Sequence, residues 1–137
     1  MKHTLDTRVY YENTDAGGIV YHAEYLNFAE RGRTELLRQA GYQCSTLHND
    51  VGVMFVVRQI QIDYLAPAQL DQQLQVQSFV EDIKNTSFIM RQRVLRDDNM
   101  LADMRVVLVC VDTTSLKPTR LPEKVKEAFQ SYLETVE

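Results

Sequence analysis

Between Arg8 and Arg33 the chain reads RVYYENTDAGGIVYHAEYLNFAERGR, and it packs more reactive chemistry into that stretch than into any other. Asp15 stands in a loop with Gly17 and Gly18, and seven residues later His22 precedes a run with helical spacing. A carboxylate delivered to a helix start has a defined use. The first backbone N–H groups of a helix lack intrahelical acceptors and carry partial positive charge, so they can hydrogen-bond a carbonyl oxygen that is gaining negative charge. A carboxylate facing such a site, as nucleophile or as general base, is the minimum equipment for hydrolysing an activated acyl group. Gly17 and Gly18 have no Cβ, which lets the loop fold tightly and a substrate lie against its backbone.

The same residues have plain structural readings. Asp in a Gly-bearing loop forms Asx turns. A His ahead of a helix can cap or pack. Tyr11 shares the inward face of Val9 and would then be core, its hydroxyl satisfied locally. Tyr21 and Tyr25 would pack the helix start. The residues alone leave these alternatives open. Other chemistries find less support: His3, His22 and His48 share no metal-ligand spacing, and there is neither a GxSxG elbow nor a phosphate-binding glycine loop. Cys44 and His48 stand four apart, yet no further residue supports a nucleophile and base there. Glu30 lies three residues before Arg33, and Glu35 four after Arg31, spacings that predict solvated ion pairs on a helix.

The elements that must position Asp15 follow from periodicity. Leu5, Thr7, Val9 and Tyr11 alternate with Thr4, Asp6, Arg8 and Tyr10, which predicts a first strand. From Tyr25 to Ala40, Phe28, Ala29, Gly32, Leu36 and Leu37 recur at helical steps, and Gly41 is placed to end that helix in a left-handed cap. Gly32 inside the apolar stripe is expected where a sheet presses on the helix. Four strands are predicted over 51–65, 72–83, 87–96 and 100–111, joined by short turn-rich segments that predict antiparallel hairpins between neighbours. Val106 to Val111 is apolar on both faces, which calls for cover beyond one helix and points to a partner subunit. Pro122 and Glu123 open a final helix with Val125, Phe129, Leu133 and Val136 in helical register. The expected architecture is α+β, one long helix wrapped by a curved antiparallel sheet of five strands, with a C-terminal helix.

Bulk properties set the bounds. The 137 residues, with net charge −4 and pI near 5.4, suit one domain and give no broad electrostatic footprint for nucleic acid. The apolar runs Val53–Val57 and Val106–Val111 fall far short of the ~20 residues of a membrane span. The first residues do not read as a secretory signal, and two distant cysteines suit a reducing compartment, so a cytoplasmic protein is expected.

Tyr11-Glu12-Asn13-Thr14-Asp15-Ala16-Gly17-Gly18-Ile19-Val20-Tyr21-His22, continued by Tyr25, Phe28, Glu30 and Arg31, resembles the signature of the hotdog-fold acyl-CoA thioesterases of the 4-hydroxybenzoyl-CoA thioesterase superfamily, nearest to its Tol-Pal-linked branch. The likeness runs on through Val56-Val57-Arg58, Tyr64-Leu65-Ala66-Pro67-Ala68, Val109-Cys110-Val111-Asp112, Lys117-Pro118 and Leu121-Pro122. The resemblance implies a thioester hydrolase without metal or prosthetic group, built as dimers that pair into tetramers, with active sites between subunits. Asp15 falls on the family's catalytic carboxylate, Tyr11 and His22 on its supporting polar positions, and the His22 backbone N–H on the group that polarises the thioester carbonyl. Asn13 departs from an acid that many relatives carry there. Gly17, Gly18 and Tyr25 are expected at the substrate. For the phosphates of CoA the candidates are Arg91, Arg93 and Arg96 on one strand, Lys84, and Lys117 with Arg120, residues whose plain reading is a solvated face. An acyl carrier protein is a second possible carrier of the acyl group. The rival readings are a 3-hydroxyacyl-thioester dehydratase, with His22 as principal base, and a non-catalytic module that binds acyl thioesters or acyl carrier protein.

Overall fold

The computed structural model describes residues 1–136. Five strands, β1 (His3–Arg8), β2 (Val53–Tyr64), β3 (Gln73–Ile83), β4 (Ser87–Arg96) and β5 (Asn99–Asp112), form one antiparallel sheet in the order β1-β3-β4-β5-β2. It wraps the central helix α1 (Glu24–Gln39), the expected hotdog arrangement. Alternation decides which side chains meet the helix: Leu74, Val76 and Val80 on β3, Phe88, Met90 and Val94 on β4, and Met104, Val106 and Leu108 on β5 are buried with Phe28, Ala29 and Leu36 of α1. α1 ends as predicted. Gly41 has φ +100°, with Gly41 N–H on Arg38 O and Tyr42 N–H on Leu37 O, the paired bonds of a Schellman cap.

Two expectations need correction, and one further local element was not predicted. The strands over 53–64 and 73–83 are not hairpin partners: β2 pairs with β5, and β3 with β1 and β4. The connection between them is pinned beneath the Asp15 loop instead, through Val20 N–H on Ala68 O and Val9 N–H on Gln72 O. The polar stretch after α1 is also locally folded, as a short turn α2 (Cys44–Thr46) followed by a wide turn over Leu47–Val51. Finally, the last helix, α3 (Glu123–Gln130), stops short of Leu133 and Val136. Beyond it the chain extends along the part of β3 that β1 leaves unpaired, with Val80 N–H on Tyr132 O and Glu134 N–H on Val80 O. Unpaired strand edges attract such cover. On β5, Val106, Leu108 and Cys110 are buried while Val107 and Val109 on the other face are half-buried.

Gly32 is where helix and sheet come closest. A Cβ on it would lie 2.8 Å from Val76 Cγ1, 3.0 Å from Ser78 Oγ and 3.1 Å from Gln92 Nε2. Val76 is fully buried and stiff at χ1, so it cannot give way cheaply. Gly32→Ala gains about 1 kcal/mol of helix propensity but sets it against an overpacking cost of about 1–3 kcal/mol. Chemical denaturation should therefore show a net loss of stability; a gain would mean that the contact is looser than these distances.

Candidate active site

The loop that carries Asp15 is closed at both ends. Asp15 N–H donates to Ile19 O at 2.9 Å and Gly18 N–H to Asp15 O at 3.1 Å, while Thr14 and Val20 form an antiparallel bridge beneath. Gly18 takes φ +82°, a left-handed conformation that costs other residues about 1–2 kcal/mol. Gly17 is needed for a different reason. Its N–H donates to Asp15 Oδ1 at 2.8 Å, and a Cβ there would stand 3.2 Å from that same oxygen. The Asx turn is thus real, and it orients the side chain: among the described residues, Asp15 Oδ2 accepts no hydrogen bond.

Asn13 joins this loop to the helix. Its backbone O accepts Tyr21 N–H, its Oδ1 accepts Tyr10 N–H, and its Nδ2 reaches Glu24 Oε1 at 3.4 Å, in the first residue of α1. The turn ahead of the helix is left with open donors. Tyr21 N–H goes to Asn13 O and Glu24 N–H to Tyr21 O, whereas the N–H groups of His22 and Ala23 have no acceptor among the described residues. Ala23, the N-cap, brings no side-chain cap either.

Tyr64, at the end of β2, enters the sequence reading only within the family likeness and not as a site residue, yet it fixes this turn. Its hydroxyl donates to His22 O at 2.8 Å. A trans peptide holds its C=O and N–H antiparallel, so gripping His22 O also sets the direction of Ala23 N–H. Tyr64 packs edge-on against Tyr25, with ring centroids 5.4 Å apart, and against His22 at 6.3 Å. Burial raises the phenol pKa of both Tyr25 and Tyr64, keeping both hydroxyls protonated at neutral pH. These residues line a cleft of about 360 Å³ with Asp15, Ile19, Leu65 and Pro67. Nothing in the sequence near Asp15 signals the wall formed by Tyr64 to Pro67, because it arrives from a distant strand end.

The structure brings Asp15, His22 and Tyr25 to one cleft, but not every expected residue joins them. Gly17 and Gly18 shape the loop and do not form the cleft wall. The His22 ring is exposed and packs on Tyr21 at 4.4 Å, with no hydrogen bond to Asp15. Tyr11 departs most. β1 ends at Arg8, and the turn over Tyr11–Asn13 rotates Tyr11 outward to 81% exposure, so it is not an inward strand residue. Arg91 and Arg93 are held elsewhere: Arg91 pairs with Glu81 at 2.9 Å and with Asp103 at 3.4 Å, and Arg93 pairs with Asp103 at 3.3 Å and covers Phe79. Arg96 donates to Pro67 O and Gln72 Oε1, bracing the cleft wall. Lys84, Lys117 and Arg120 are exposed, Lys117 near the β5 end paired with Val53 and thus far along β2 from Tyr64. Among the described residues no cluster of His, Cys, Asp and Glu could hold a metal ion.

Residues 9–129 match the model of the thioesterase-like superfamily. The chain belongs to that superfamily. Among relatives of this thioesterase-like chain, the acyl-CoA thioesterase YbgC of Haemophilus influenzae is 45% identical over 126 residues, covering 92% of this chain and 93% of that protein. The acyl-CoA thioester hydrolase YbgC of Escherichia coli is 43% identical over 124 residues, covering 90% and 92%. A solved structure of a probable thioesterase from Bartonella henselae superposes with TM-score 0.86 at 37% identity, covering 89% of this chain and all of that one. The expectation of a thioester hydrolase in a hotdog fold is thereby met.

Proposed function

We propose that this protein is an acyl-CoA thioesterase whose chemistry is carried by Asp15 and by the open backbone donors at His22 and Ala23. The observation that supports it is their convergence: a carboxylate with one oxygen tied down and one free lines the same cleft as a pre-helical turn with two N–H groups unclaimed. The thioester carbonyl oxygen accepts from that turn, which stabilises the charge it gains in the tetrahedral state. Asp15 then either attacks the carbonyl carbon, expelling CoA thiolate and leaving an anhydride that water opens, or takes a proton from the water that attacks. Both routes end in a carboxylic acid and CoA. Thiolate is a good leaving group, so no separate proton donor is required for C–S cleavage.

His22 acts in this reading as a supporting polar group, Tyr25 as substrate wall, and Gly17 and Gly18 through the loop they permit, while the outward-turned Tyr11 is left without a role in the cleft. The CoA phosphates fall to exposed cations such as Lys117 and Arg120, since Glu81 and Asp103 already hold Arg91 and Arg93. The proposed assembly is a homo-oligomer joined through β2, an edge strand that exposes Val56 and Val57 by 37% and 44%. Such pairing would run the partner's β2 back along this one and bring distant cations toward the cleft. A cytoplasmic location fits this substrate.

The test is hydrolysis of short, aromatic and long acyl-CoAs followed by free thiol. The proposal expects equimolar acid and thiol; alkene formation on a 3-hydroxyacyl thioester without thiol release would make the protein a dehydratase, and binding without turnover a passive module. Within this reading Tyr64→Phe loses one hydrogen bond of about 0.5–1.5 kcal/mol that orients the oxyanion donors. We expect kcat to fall by about 3–10-fold with KM little changed; a change confined to KM would place Tyr64 in substrate binding instead.

A further inference from the structure

Most arginines near the sheet face carboxylates. Arg91, Arg93 and Arg105 pair with Glu81 and Asp103, while the pairs that spacing predicts on α1 are exchanged for others: Glu35 holds Arg38, and Arg33 bonds the neutral Gln92 Oε1. Arg96, half-buried at the end of β4, has no carboxylate partner among the described residues. Its two hydrogen bonds both leave Nη1 and both end on the connection between β2 and β3, at Pro67 O (3.1 Å) and Gln72 Oε1 (3.0 Å). Partly burying a cation without a counter-charge carries a desolvation cost, so where those acceptors sit is informative.

The two acceptors grip the peptides on either side of Ala68, which is fully buried. A trans peptide directs its C=O and its N–H to opposite sides. In the peptide joining Pro67 to Ala68, Arg96 takes the C=O, and the N–H on the far side meets the Tyr25 hydroxyl. Burial raises that phenol's pKa, and the Ala68 N–H and the Arg96 charge both oppose the rise. In the peptide joining Ala68 to Gln69, the N–H donates at 2.9 Å to Gln72 Oε1, the oxygen that Arg96 also holds. The C=O on the far side accepts Val20 N–H at 2.9 Å. Val20 bridges to Thr14, and Ile19 O beside it accepts Asp15 N–H, so this bond seats the Asp15 loop. Both peptide planes around Ala68 therefore have the guanidinium on one side and the cleft on the other.

We infer that Arg96 is a positioning residue for thioester hydrolysis, acting through Ala68 to set the Asp15 loop and the Tyr25 wall although it lines no part of the cleft itself. The inference rests on the thioesterase reading, and it assigns Arg96 to placing the site instead of to the phosphates of CoA.

Steady-state kinetics on an acyl-CoA and on the matching acyl-pantetheine, which lacks the nucleotide phosphates, test it in the full chain. Arg96→Met should lower kcat per folded molecule about tenfold on both substrates, with KM within about twofold of native, as a small misplacement of reacting groups does. Arg96→Lys, a shorter arm that still donates, should fall between Arg96→Met and the native protein. Gln72→Met removes one of the two grips and should lower kcat about threefold. The double variant should do no worse than Arg96→Met alone, because both changes act through Ala68, whereas independent effects would multiply to about thirtyfold. Gln72→Met carries the test if Arg96→Met folds poorly. Native kcat in Gln72→Met, or in an Arg96→Met that only melts earlier, would overturn the inference, as would multiplying losses. A KM that rises for acyl-CoA but not for acyl-pantetheine would overturn it too, by making Arg96 a phosphate ligand. Lack of turnover by the native protein, or native turnover by Asp15→Asn, would instead overturn the thioesterase reading and the inference with it.

Discussion

Asp15→Asn is expected to lower kcat for thioester hydrolysis by about 10²–10⁴-fold, the range spanned by removal of a positioned base. Asparagine is the informative replacement because its amide oxygen can still accept the Gly17 N–H that now reaches Asp15 Oδ1 at 2.8 Å. The turn is kept and only the charge and basicity are removed. The loop is exposed, so unfolding free energy should stay within about 0.5 kcal/mol of the native value. A variant with near-native kcat would take Asp15 out of the chemistry. A variant that is inactive because it is unfolded would assign it a structural role only.

The second large effect is expected at Gln92, away from the cleft. Its side chain is fully buried between β4 and α1, where it serves Ala29 O, Ser78 Oγ and the Arg33 guanidinium at once. Gln92→Leu keeps the volume but strips a buried hydroxyl and a half-buried cation of their partner. Buried groups left unsatisfied cost about 1–3 kcal/mol each and are not additive within one network, so a loss of about 2–4 kcal/mol is expected. For a chain of this size that lowers Tm by roughly 5–15 °C. Chemical denaturation measures it directly; a midpoint shift worth less than about 1 kcal/mol would show that water satisfies the network.

Much of this arrangement could be read from residue order. Local features carried best: the alternation of β3 and β4, the stripe of α1, the stop at Gly41 and the need for a side-chain-free position at Gly32 were all visible because each depends on neighbours within a turn or two. The Asp15 loop was legible for the same reason, its two glycines and its carboxylate lying within four residues of one another. What could not be read depended on distant pairing. Arg91 and Arg93 look like free cations along the chain, and only the β3-β4-β5 register sets Glu81 and Asp103 beside them. Tyr64 is one more exposed aromatic at a strand end until the sheet order carries it to His22 O. Tyr11 failed through a local break in period, since a strand that ends at Arg8 no longer alternates at position 11.

The central claim is geometric, and one structure would test it most directly: this protein bound to an inert ketone or thioether analogue of an acyl-CoA. The account predicts the carbonyl oxygen about 2.7–3.1 Å from the His22 or Ala23 nitrogen. It also predicts an Asp15 oxygen, or a water held by it, about 3–3.5 Å from the carbonyl carbon. An analogue seated with its carbonyl away from that turn, or with Asp15 turned from it, would contradict the account.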